Sequence, residues 1–192
     1  MSTIRMTVAA LAAVAVAAAG CTAQAPQAGQ SAGSTIADEH GLAGLDARQM
    51  IERLDATPVA QRSTDLIASV QPDELVLTSG DRTQSVPMPN EEFYLAVAPY
   101  DSRTHECYFH SLTTCLGELR NEQVQVTVTD RATGATVVDD DVTTFDNGFV
   151  GIWLPRGLDG EITVEHDGRR ATAPISTSNP DDLTCLTSLR LA

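Results

Sequence analysis

The sequence predicts a mainly β, α+β protein: a small helical N-terminal region with a hairpin, followed by an immunoglobulin-like β-sandwich. Three observations predict it. From Phe93 onward, short runs rich in Val, Ile and Thr alternate with turn dipeptides such as Thr133-Gly134, Asn147-Gly148 and Asp167-Gly168, the spacing of a sandwich. Earlier, Asp46 and Gln49 form a capping-box pattern ahead of Leu45, Met50, Ile51 and Leu54, which can share one helix face. Between these regions, Leu75-Val76-Leu77 and Thr83 to Val86 flank Ser79-Gly80-Asp81, a hairpin pattern.

The elements follow in chain order. Arg5 precedes an apolar run from Val8 to Ala19, the layout of an export signal and shorter than the roughly 20 apolar residues of a membrane span. Ala18-Ala19-Gly20-Cys21 resembles a lipobox, so residues 1–20 read as a signal peptide and Cys21 as a lipidation site. The alternative is ordinary cleavage a few residues later. Both place the chain outside the cytoplasm; the lipid anchor would hold it on the outer face of the cytoplasmic membrane. Residues 21–40 are rich in Ala, Gln, Gly and Ser and read as a flexible tether.

Residues 41–89 are expected to form the helical and hairpin domain. Thr57-Pro58 looks like the start of a second helix, with Val59, Leu66, Ile67 and Val70 as its stripe. Pro87-Met88-Pro89 marks a boundary, with Met88 read as a linker residue. Residues 90–192 then supply the strands Phe93–Ala98, Val124–Thr129, Ala135–Val138, Phe149–Leu154, Ile162–His166, Ala171–Ser176 and Thr184–Leu191. Asp139-Asp140-Asp141 lacks the oxygen spacing of a calcium loop and reads as a solvated turn. His166 reads as a polar strand end.

Formal net charge is -14, and every basic residue is arginine. That balance excludes phosphate-backbone recognition, so no nucleic-acid partner is expected. No Gly-x-Ser-x-Gly, His-Glu-x-x-His, Cys-x-x-Cys or phosphate-binding loop is present, and the chain does not read as an enzyme.

With Cys21 given to lipid, Cys107, Cys115 and Cys185 remain, an odd number that leaves a thiol unpaired in an exported chain. Strand alternation puts Cys185 on the face of Leu183, Leu189 and Leu191. Three thiolates with His110 suit a soft ion, Cu(I) best, with zinc as competitor. His105 also flanks Cys107. The alternative is a Cys107–Cys115 or Cys115–Cys185 disulfide with a leftover thiol, either in a β-sandwich binding module or in a thiol–disulfide redox protein.

Phe93-Tyr94, Ala98-Pro99-Tyr100, Thr104-His105-x-Cys107 and Phe109-His110-Ser111-Leu112-Thr113-Thr114-Cys115 resemble the CueP family of periplasmic copper-binding, copper-resistance proteins. So do Asn147 to Pro155 and Thr184-Cys185-Leu186-Thr187. The resemblance runs from about Gly41 onward. It implies copper ligation by Cys107, Cys115 and Cys185 with a nearby histidine, for which His110 is the choice. It also implies copper tolerance in the cell envelope, delivery to a copper-dependent superoxide dismutase, and a homodimer; separately, thiols that reduce Cu(II) before binding it would form a disulfide, so a thiol reductant is expected as a partner. A lipid on Cys21 would be a departure and favours sequestration at the membrane.

Overall fold

The structure, a computed structural model, describes residues 34–192; the signal peptide, the lipobox and Cys21 lie outside the described residues. Thr35 caps a one-turn helix, α1 (Ile36–Glu39), with Asp38 returning the capping bond. Ile36 and Ala37 are buried, so the expected tether to residue 40 is interrupted. Its end was missed because the cap and its two apolar residues occupy a single turn. Helix α2 (Ala47–Asp55) begins at the Asp46–Gln49 capping box and buries Ala47, Met50, Ile51 and Asp55.

The second helix expected from Pro58 does not form. A single 3-10 turn (Val59–Gln61) is followed by strand β1 (Ile67–Val70). Burial here has period two: Leu66, Ala68 and Val70 are inside while Ile67 is half exposed. Strand pairing outweighs the N-terminal helix signal, because β1 can bury those residues against β2 (Glu74–Ser79). β2 turns at Gly80 into β3 (Arg82–Pro87), as the hairpin pattern predicts. Met88 is buried in the core rather than serving as a linker.

Then come β4 (Glu92–Val97), β5 (His110–Ser111), β6 (Gln123–Asp130), β7 (Thr136–Thr143) and β8 (Val150–Pro155). The chain closes with β9 (Asp159–His166), β10 (Arg169–Ser176) and β11 (Cys185–Leu186). Three sheets result, ordered β3-β2-β1-β5, β10-β9-β6-β7 and β11-β4-β8. The fold is thus mostly β with a small helical N-terminal region, as expected. Asp139-Asp140-Asp141 lies within β7, pairing with Thr127, Val126 and Gln125, and is not a turn. β7 is a sheet edge, and three exposed carboxylates there oppose pairing with another chain.

The three-stranded sheet is buried on both faces, which explains the nearly continuous apolar run of β4. Phe93, Leu95 and Val97 face a core shared with Val124, Val126, Val128, Ile162 and Val164 of the four-stranded sheet. Tyr94 and Ala96 face the opposite core, among Met50, Ile51, Leu66, Leu75, Leu77 and Phe149. Residues from both sides of position 89 meet in that second layer, and residues 34–192 form one compact unit.

The last expected strand shrinks to Cys185–Leu186, parallel to β4, plus a lone bridge between Tyr100 and Arg190. Cys185 therefore does not share a face with Leu183 and Leu189. It enters the core of the helices, whereas those leucines pack in the sandwich. Alternation fails as a guide once a strand is only two residues long.

Candidate metal centre

Four chain segments converge where the edge of the first sheet meets the central sheet. His110 sits in β5, which pairs with β1 so that Val70 opposes His110. Its backbone N–H donates to Thr184 Oγ1 at 3.0 Å, and that hydroxyl donates to the Val70 carbonyl at 2.6 Å. One buried threonine thus fastens three segments. The Cys185 N–H donates to the Tyr108 carbonyl at 3.1 Å, bringing β11 against the residue that follows Cys107. Cys115 closes a turn through its N–H to the Ser111 carbonyl, at 3.0 Å.

The structure brings all four predicted site residues together: ligand atoms of Cys107, His110, Cys115 and Cys185 lie within 4.8 Å of one another. Cys107 and Cys185 are joined as a disulfide, Cα atoms 5.6 Å apart, and Cys115 is the free thiol. This corrects both disulfide pairings expected from the sequence. The Tyr108 contact sets Cys185 beside Cys107, a long-range pairing that loop length alone does not reveal. Cys115 Sγ is 3.5 Å from Cys107 Sγ, and Cys185 Sγ is 3.7 Å from His110 Nδ1.

Sequence reasoning missed the groups beneath His110. The imidazole is fully buried, with Nε2 3.4 Å from Asp55 Oδ1. Asp55 also accepts from Tyr94 Oη and, at 2.6 Å, from Asn147 Nδ2. A carboxylate on Nε2 fixes the tautomer and leaves Nδ1 turned to the sulfurs, the arrangement that supports a metal-bound histidine. Burial pushes the Asp55 pKa up, but hydrogen bonding and attraction from His110, with Tyr94 and Asn147, hold it below the usual value. Burial pushes His110 down, while Asp55 and Cys115 bring it above its usual value. Burial raises the Cys115 thiol, yet His110, His105 and the Ser111 amide outweigh this and set it at about 7. One signal for Asp55 existed: it is four residues after Ile51, an acid on the apolar face of α2. Arg62 gave none. It is half-buried and donates from Nη1 to the Cys115 carbonyl at 2.8 Å.

The loop that carries Cys107 is held from outside. Glu118 accepts from the amides of Asp101, Ser102 and Arg103 at 2.8–3.2 Å. Thr104 Oγ1 donates to the Thr187 carbonyl at 2.7 Å. The Ser102 hydroxyl and then these amides hold the Glu118 carboxyl down to about 2. A depressed carboxylate contributes stability above its unfolded pKa of 4.5, lost as pH falls towards about 2. The stability difference between wild type and Glu118→Gln in urea is therefore expected to stay level from pH 7 to about 5 and to shrink below that. A gap unchanged down to pH 2.5 would contradict this role for Glu118. Beyond Cys115, Gly117 crosses Gly148 so closely that a Cβ on either would strike the other's backbone. That contact presses the Asn147 turn against the centre.

His166 is a strand-end residue, 2.8 Å from the Gln123 carbonyl. Among the described residues, no helix is long and apolar enough to cross a membrane. A partly buried set of three cysteine sulfurs and one oriented imidazole fits a soft metal ion, provided that the disulfide is opened.

A family model described as periplasmic copper-binding protein CueP matches residues 49–190. A solved structure of S.CueP is 40% identical, with a TM-score of 0.78, and the match covers 84% of this chain and 98% of that one. No curated protein matches. The match spans the whole cysteine and histidine centre, and this chain belongs to the CueP family of periplasmic copper-binding proteins.

Proposed function

We propose that this protein captures Cu(I) outside the cytoplasm through the thiolates of Cys107, Cys115 and Cys185 with His110, and so keeps it from redox cycling. The observation that carries this is the gathering of four soft or borderline donors within 4.8 Å, with the imidazole nitrogen turned towards them by Asp55. Thiolates favour Cu(I), and a set of three sulfurs without a hard oxygen ligand distinguishes it from most divalent ions. The site binds and does not catalyse: it is a store for copper resistance that can also hand copper to an envelope enzyme such as a copper-dependent superoxide dismutase.

Loading needs all three sulfurs as thiolates, so the Cys107–Cys185 disulfide must first be reduced by an external dithiol. A lipid on Cys21, after removal of the signal peptide, would tether this store to the membrane and leave delivery to clients within reach of a short linker. A homodimer would place two such stores together.

The test is anaerobic Cu(I) titration of the reduced protein against a competing chelator, with zinc in parallel. Near-stoichiometric Cu(I) uptake is expected, with zinc unable to displace it. A reduced protein that releases all its copper to the chelator, or that prefers zinc, would remove this reading.

A further inference from the structure

Arg62 carries a positive charge that the disulfide form does not use. The 3-10 turn before it is fastened by the Val59 N–H, which donates to Asp146 Oδ2 at 2.7 Å, and by the Arg62 N–H, which donates to the Val59 carbonyl. The side chain then reaches Cys115, whose carbonyl accepts from Nη1 at 2.8 Å. The other two guanidinium nitrogens, Nε and Nη2, are buried and have no hydrogen-bond partner among the described residues. Burial lowers the Arg62 pKa, with Asp55, Cys115 and Asp146 drawing it back, and a guanidinium keeps its proton throughout. A desolvated cation with most of its donors unpaired is costly to keep, and nothing in the fold explains it here.

Loading changes the charge that Arg62 faces. With Cys107 and Cys185 joined, neither sulfur can ionise, and Cys115 alone keeps a thiol. In the reduced, filled site all three sulfurs are thiolates. Cu(I) cancels one of their three negative charges, whereas zinc cancels two. Asp55 adds the same charge in either case. Whatever protons the empty site holds, the two filled forms therefore differ by one unit of charge, and the copper form is the more negative. A carbonyl oxygen lies within about 5 Å of its own residue's Sγ, so Nη1 stands within about 8 Å of the Cys115 sulfur. At that range a half-buried cation changes an equilibrium about tenfold for each unit of opposite charge. Arg120, five residues beyond Cys115, is exposed, and water and salt screen it.

We propose that Arg62 is a specificity-determining residue of the copper site: its guanidinium is the countercharge of the filled three-thiolate centre and biases one donor set towards a monovalent over a divalent ion. The inference rests on the reading of Cys107, Cys115 and Cys185 as copper ligands. Arg62 is not a ligand. It acts on the centre through its charge, held in place by the Cys115 carbonyl. The soft donors admit both Cu(I) and zinc, and the arginine favours the filled form with the greater negative charge.

The test is the ratio of Cu(I) to zinc affinity in the reduced full chain, each ion measured anaerobically against a competing chelator, for wild type, Arg62→Gln and Arg62→Lys. Glutamine keeps an N–H donor and removes the charge; lysine keeps the charge. Arg62→Gln is expected to weaken Cu(I) about tenfold more than it weakens zinc, and Arg62→Lys to hold the ratio within about threefold of wild type. A purely structural role would loosen both ions alike and leave the ratio where it was. An unchanged ratio in Arg62→Gln therefore overturns the proposal. So does an Arg62→Lys ratio that moves as far as that of Arg62→Gln, because charge is then not the cause. A further readout needs no variant: the NMR signal of the Arg62 Nε–H in reduced wild type is expected to shift when Cu(I) is added, and a signal that stays in place also overturns the proposal. Wild type that holds Cu(I) with a ratio indifferent to Arg62 sinks only this role; wild type that holds no Cu(I) sinks the copper reading and this inference with it.

Discussion

Replacing Asp55 with alanine is expected to destabilise the protein by about 3–5 kcal/mol, the range for removing one partner of a buried charged pair. Urea unfolding at pH 6 measures it. The carboxylate serves Tyr94, Asn147 and His110 at once, and all three are buried. Alanine leaves each donor without an acceptor and without access to water, and that desolvation is not recovered. The effect should depend on pH with a defined sign. Asp55 is held below 3.8, chiefly by His110 working against burial, so its contribution is present above that value and lost as pH falls through the lowered one. His110 is raised above 6.5 by Asp55 and Cys115 working against burial, so its contribution is full below 6.5 and lost as pH rises through the raised value. The gap between wild type and variant should be widest between these values and narrow on either side. Copper affinity of the reduced protein should also fall about 10–100-fold, as when a ligand loses its orienting partner. A variant within about 1 kcal/mol of wild type would mean that the network is only spectating.

Cys185→Ser should produce two separate losses. In the non-reduced protein it removes a bridge spanning 78 residues, which by the chain-entropy account stabilises by about 4 kcal/mol. Reducing agent should erase that difference, because the wild type then lacks the bridge too. In the reduced protein the variant lacks one of three sulfurs. Its Cu(I) affinity should drop by more than about 100-fold, beyond what losing an orienting partner costs. Cys107→Ser should match it in the melting experiment. Equal copper affinity in reduced Cys185→Ser and wild type would show that the C-terminal sulfur is not a ligand.

The parts legible in the sequence were those encoded locally. The Asp46–Gln49 cap, the hairpin at Gly80 and the alternating strands each carry their signal within about a dozen residues. Cysteine counting left Cys107, Cys115 and Cys185 as candidates with His110 near them, and the resemblance turned that candidate set into an expected copper site; no spacing argument separates His110 from His105. What escaped was decided across the chain. β1 gave up a helix-like start because Ala68 and Val70 find partners in Leu77 and Leu75 of β2. β5 and β11 are two residues each, too short for any periodicity, yet they place His110 and Cys185. The disulfide partner of Cys107 follows from β11, laid parallel on β4, donating the Cys185 N–H to the Tyr108 carbonyl, and such long-range contacts leave little trace in local composition. Asp55 was visible as an oddity on an apolar face, but its meaning lay 55 residues away in His110.

β11, the parallel strand that delivers Cys185, comes after all the other described strands in sequence. A polypeptide interrupted between residues 116 and 183 has Cys107 and Cys115 but neither the third sulfur nor the Thr184 hydroxyl that pins His110. Such a molecule lacks the full donor set of the proposed copper site.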